Sequence, residues 1–84
     1  MRLVEVKVPE ELWPRRGGWK GKVVNVLKKP GEKVARGEVL AEVEIEKAIL
    51  EIESPVDGVV RKVAEPGSPV EPGSVIALVE EAGA

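Results

Sequence analysis

Few side chains in this sequence can do chemistry. The 84 residues include no Cys and no His, so the chain offers no thiolate, no disulfide and no sulfur-ligated metal. It also lacks the side chain best suited to proton transfer near neutral pH. Two stretches remain. In "EVEIEKAILEIESP" (42–55) a single lysine, Lys47, interrupts a regular alternation of glutamates and aliphatics. In "PEELWPRRGGWKGK" (9–22) Trp13 and Trp19 stand beside Arg15, Arg16, Lys20 and Lys22. The first offers one primary amine. The second offers aromatic faces among cations, a combination that can stack bases and hold phosphates.

The elements that position these residues can be read from a repeat. "PGEKVARGEVLAEVE" (30–44) and "PGSPVEPGSVIALVE" (66–80) share Pro, Gly, Val, Gly, Val, Ala, Val and Glu at a constant offset of 36. Upstream, "GKVVNV" (21–26) answers "GVVRKV" (58–63) with one residue of slippage. Two copies, not an array, indicate a pseudo-twofold domain. Short strands are expected at 2–8, 22–28, 33–37, 39–45, 48–53, 57–63, 69–70 and 75–80, separated by Pro-Gly turns such as "KKPGE" (28–32). Along 39–45, Val39, Ala41, Val43 and Ile45 share one face, and Glu38, Leu40, Glu42, Glu44 and Glu46 the other; Leu40 breaks the pattern and suggests partial cover there. Prolines and glycines interrupt every window of helical length after residue 8 except 38–53, and that one has period two. The expectation is all-β: a flattened barrel or sandwich of two sheets.

Within this frame only Glu46 and Lys47 separate strand 39–45 from strand 48–53. Pairing Ile45 with Ala48 and Val43 with Leu50 turns both apolar faces the same way, and a slip of one residue destroys the agreement. Lys47 is therefore expected at a hairpin tip, its amine in water. Ordinarily such a lysine only adds solubility.

The glutamates at 42, 44, 46, 51 and 53 could suggest a hard-cation site, but strand alternation spreads them over a solvated face. No metal is expected. The glycines occur in turns and do not open a helix, so no phosphate loop is present. Residues 1–36 hold ten Lys or Arg against four Glu, and residues 37–84 hold three against eleven acids. Either the fold interleaves these charges or the surface is dipolar and orients a partner. No apolar run is long enough to cross a bilayer, and no signal-like stretch opens the chain. A single cytoplasmic domain over 1–84, in no contact with membrane, is the expectation.

"VEIEKAILEIESPVDGVV" (43–60) resembles the attachment hairpin of the biotinyl/lipoyl domain family, whose lipoyl branch places an acid, Lys and Ala at the tip. "PGEKVARGEVLAEVE" and "SPVDGVV" are also similar to that family, with Gly37 ten residues before Lys47 and Gly58 eleven after it. The resemblance covers about residues 20–80. It implies a flattened β-barrel of two four-stranded antiparallel sheets with quasi-twofold symmetry. It also implies that Lys47 carries lipoate in amide linkage as a swinging arm, so that the chain is a carrier and not an enzyme. The arm would transfer acyl or aminomethyl groups in a 2-oxoacid dehydrogenase or glycine-cleavage-like system. The implied partners are a lipoate ligase or a lipoyl/octanoyl transferase, which would read Glu46 and Ala48, and dehydrogenase and acyltransferase components. Trp13, Arg15 and Arg16 fall in a loop that lies beside the modified lysine in the family and would help partners recognise the domain. Biotinylated members place Met on both sides of the lysine, where this chain has Glu46 and Ala48, so biotin on Lys47 is the alternative. Two departures from the lipoyl pattern are Glu46 for the usual Asp and Ile45 where a small polar residue is common. A small nucleic-acid-binding barrel is a remoter alternative, set back by the net charge of −2. The absence of a Pro/Ala-rich linker and of a catalytic domain suggests a free-standing carrier or a piece of a longer protein; Met1, directly before the first strand, favours the former.

Overall fold

The computed structural model describes residues 2–9, 21–45 and 48–83. They form eight strands: β1 (Arg2–Lys7), β2 (Gly21–Val26), β3 (Lys33–Val34), β4 (Val39–Ile45), β5 (Ala48–Glu53), β6 (Gly58–Val63), β7 (Pro69–Val70) and β8 (Val75–Glu81). The strands pair antiparallel in two four-stranded sheets, β1-β8-β6-β3 and β5-β4-β2-β7. Replacing β1 by β5, β8 by β4, β6 by β2 and β3 by β7 converts one sheet order into the other. The repeat at offset 36 is the sequence trace of this quasi-twofold. Its Pro-Gly turns match as well: Gly31 and Gly67 adopt φ of 94° and 90°, a region open to glycine and strained for other residues.

Both sheets turn Val-rich faces onto one core. Val6, Val60 and Val79 enter it from the first sheet, and Val23, Val43, Ile45 and Ile52 from the second. β-Branched side chains suit a pleated surface buried on one face, which is why so many valines specify strands here.

Leu40 departs from strict alternation more than expected. It is 0% exposed, as deeply buried as Val43. The β4–β5 ladder shifts register between Val39 and Ala41. Such a bulge adds one residue to a strand and re-aims its side chains, so Leu40 joins Ala41 in the core. The second copy repeats the device: β1 pairs Val6 with Ala77 and Lys7 with Val75, skipping the buried Ile76. Other strand limits differ at the ends, since the 22–28 expectation stops at Val26 and the 33–37 expectation at Val34.

Candidate functional site

The hairpin β4–β5 has the expected register. Its partners include Glu42↔Glu51, Val43↔Leu50, Glu44↔Ile49 and Ile45↔Ala48. Val43, Ile45 and Ile52 are buried and Leu50 packs against the core, so a one-residue slip would turn four aliphatics into water. On its other side β4 is backed by β2, with Val23 opposite Val43 and Gly21 opposite Ile45. Glu46 and Lys47, which join the last pair, lie outside the described residues, as do Trp13, Arg15 and Arg16. Ala48 is exposed.

The base of the hairpin is tied by backbone. The Gly37 N–H donates to the Ser54 carbonyl at 2.8 Å and the Ser54 N–H to the Glu38 carbonyl at 2.9 Å. The buried Ser54 hydroxyl donates to the Val56 carbonyl at 2.6 Å, and Asp57 Oδ1 accepts the Arg36 N–H at 2.7 Å. At about 3.3 Å per residue, these ties sit roughly 20 Å from Ile45. Nothing in the sequence analysis anticipates these ties at "SPVDG". The available signal was Ser and Asp, whose side chains bond neighbouring backbone groups in turns.

Glu38 closes the same base. The Ala35 N–H it accepts at 3.0 Å, and next the Lys28 amine at 3.0 Å, hold its carboxyl below the usual carboxylate range, against a smaller upward push from burial.

Glu42, Glu44, Glu51 and Glu53 occupy the solvent side of the hairpin. Asn25 Nδ2 donates to Glu42 Oε1 at 2.7 Å, and Lys22 Nζ stands 3.9 Å from Glu44. Among the described residues Glu51 and Glu53 form no ion pair, and Glu51 faces Glu42, a like-charge pairing that costs stability. Among the described residues no group of three or more potential ligands converges on a metal position. Among the described residues, basic side chains of positions 1–36 fall on both sheets, with Arg2 and Lys7 on β1 and Lys33 on β3 of one and Lys22 on β2 of the other, while this one face stays acidic.

Two quasi-twofold antiparallel sheets, one ending in a hairpin with only two residues between its last paired positions, define a small β-sandwich domain. The Biotin_lipoyl family model, described as a biotin-requiring enzyme, matches residues 14–79, and the chain belongs to this family of biotinyl/lipoyl attachment domains, which carry groups and do not catalyse. Component 3 of the mitochondrial dihydrolipoyllysine-residue acetyltransferase of the pyruvate dehydrogenase complex from Arabidopsis thaliana is 44% identical over 63 residues, 73% of this chain and 12% of that protein. Acetyl-CoA carboxylase of Schizosaccharomyces pombe is 36% identical over 59 residues, 70% of this chain and 3% of that protein. The chain thus spans a small part of these curated relatives. The solution structure of the lipoyl domain of the 2-oxoglutarate dehydrogenase complex from Azotobacter vinelandii is similar at a TM-score of 0.71 and 28% identity, over 93% of this chain and 99% of that one.

Proposed function

We propose that the chain is a lipoyl carrier domain and that lipoate is joined by an amide to Lys47 Nζ. The observation that carries this reading is the β4–β5 register: its last pair is Ile45↔Ala48, which leaves Glu46 and Lys47 alone to close the hairpin. Ala48 beside them is exposed and minimal, which fits an arm that must leave the surface and would not fit a group held in a pocket. Lipoate supplies a dithiolane, the sulfur chemistry that a chain without Cys lacks. The protein's own part is mechanical: a core-anchored hairpin tied at its base holds the attachment point while the arm moves.

In this role the domain passes acyl groups between the dehydrogenase and acyltransferase components of a 2-oxoacid dehydrogenase system. The Arabidopsis and Azotobacter likenesses support that system over aminomethyl transfer. A ligase or transferase reads Glu46 and Ala48, partners read Trp13, Arg15 and Arg16, and the protein works in the cytoplasm. The carboxylase relative supports a second reading, biotin on the same lysine. The flanking Glu46 and Ala48 weigh against it, because the biotinyl pattern has Met at both places.

The test is intact-mass analysis after incubation with lipoate, ATP and lipoate ligase, in parallel with biotin, ATP and biotin ligase. One added lipoyl mass, absent in Lys47→Arg, is expected. Modification of another lysine overturns the assignment, and efficient biotinylation of the unmutated chain overturns lipoate while leaving Lys47 in place.

A further inference from the structure

The outer face of the β1-β8-β6-β3 sheet is chemically unlike its quasi-twofold twin. Leu78 stands at the place of Glu42, 36 residues on, and Lys7 at the place of Glu53. Around the half-buried Leu78, Leu3 is 57% and Val75 45% exposed. Leu78 pairs with Glu5 on one side and with Lys62 on the other, so acid, leucine and lysine form one row across three strands. Glu5, Lys62, Val75 and Leu78 line an open groove of about 300 Å³. The backbone does not require an apolar centre here, since the same topology accepts Glu42 in the twin. The carrier role uses none of these residues.

We propose that this face is the contact between two copies of the chain, related by a twofold axis that runs along β8 through Leu78. Such an axis exchanges the strands flanking β8, so β1 of one copy lies over β6 of the other, with the sheets about 10 Å apart. Leu78 then meets Leu78, and Val75 meets Val75. Leu3 and Val59, which flank Glu80 on opposite sides, meet each other. Glu5 of each copy meets Lys62 of the other. A twofold contact needs a self-complementary surface, and a row ordered acid, apolar, base is self-complementary about its centre. Glu80 is already neutralised within its own copy by Arg61 Nε at 2.8 Å. Glu5 leans on Lys7 at 3.7 Å, but both side chains are more than half exposed, and such a pair is weak enough to exchange.

The area sets the strength. The molecule measures 40 × 21 × 16 Å, so no face much exceeds the roughly 800 Å² that each partner gives in a standard-size complex. The contact must use most of the face and forms at the weak, concentration-dependent end. The β4–β5 hairpins belong to the uncovered sheets. Because the axis follows the strand direction, both point to the same end of the dimer.

Sedimentation equilibrium of the 84-residue chain, from about 10 μM to about 1 mM, tests this. The expected result is a mass that rises from monomer toward dimer. Leu78→Glu, Glu5→Lys and Lys62→Glu should each raise the dissociation constant by about tenfold or more, and the double reversal Glu5→Lys/Lys62→Glu should restore it. Leu78→Glu installs the twin's own residue and is expected to fold. If it does not, the reversals at exposed Glu5 and Lys62 carry the test. A monomer throughout overturns the proposal. So does a dimer indifferent to these changes, or a double reversal no tighter than either single one.

Discussion

Replacing Leu40 by Ala separates the bulged β4 of the structure from the plain alternation of its sequence. Leu40 is 0% exposed, and its carbonyl accepts the Leu27 N–H at 2.8 Å, so its backbone is tied where its side chain is enclosed. Losing three carbons removes roughly 2.4 kcal/mol of transfer free energy at ~0.8 kcal/mol per methylene. The roughly 60 Å³ vacated adds up to about 1.5 kcal/mol if the site does not collapse. The expected loss is about 2.5–4 kcal/mol, a large share of the ~4–12 kcal/mol typical for this length. At 4–8 °C per kcal/mol for a domain this small, the melting temperature should fall by about 10–30 °C. Ile76→Ala, at the equivalent place in the second copy, should cost a similar amount. Leu3→Ala, on the exposed face, should stay within about 0.5 kcal/mol. Urea unfolding followed by far-UV circular dichroism measures all three. A Leu40→Ala loss under about 1 kcal/mol, or one no larger than that of Leu3→Ala, would refute the bulge and return Leu40 to the solvent side.

Three further outcomes follow from single contacts. Gly58→Ala should destabilise by more than about 2 kcal/mol in urea, because the added Cβ would strike the Glu80 carbonyl oxygen and approach Val79 Cγ1 to 2.9 Å; a neutral result would mean that β6 and β8 lie farther apart. Glu51→Lys should stabilise by about 0.2–1 kcal/mol by relieving the pairing with Glu42, and the gain should shrink at high salt in thermal melts. Glu38 has a carboxyl pKa that folding lowers, so its contribution is present above the unfolded value and is lost as pH falls through the folded one. Glu38→Gln should therefore flatten the acid limb of stability as pH falls below the ordinary carboxylate range, and an unchanged acid limb would show that its bonds to Ala35 and Lys28 do not persist in solution.

How far the sequence can be read depends on the kind of signal. Period two and Pro-Gly turns placed β4, β5 and β7 to the residue, since alternation and turn chemistry are local. The β4–β5 register was legible too, because only one pairing turns Val43, Ile45, Leu50 and Ile52 the same way. The inward turn of Leu40 was not, since a bulge depends on how a strand meets its partner and leaves no local mark. The ties of Ser54 and Asp57 were hidden for the same reason: their partners, Glu38, Gly37 and Arg36, lie sixteen to twenty-one positions upstream. The sequence shows only that Leu40 is apolar on an otherwise acidic face, not which way it turns. Its repeat mate Ile76, also apolar where alternation calls for polar, was the second half of that signal.

The quasi-twofold also explains why one end of the molecule should hold a single attachment point. The symmetry carries the pair Ile45↔Ala48 onto Glu81↔Arg2, the last pair of β8 and β1. In one place the chain runs on through Glu46 and Lys47, and in the other the two strands belong to opposite ends of the described chain. Ala82 donates its N–H to the Asp57 carbonyl at 2.8 Å, which puts the Glu81 end beside the base of the β4–β5 hairpin and away from Ile45. The pairs Ile45↔Ala48 and Arg2↔Glu81 thus occupy equivalent positions about 20 Å apart, the length of a seven-residue strand. The repeat builds two equal platforms, but only one can present a residue on a covalent turn. A lysine placed there is joined to a strand on each side, whereas no turn closes the twin position between β8 and β1.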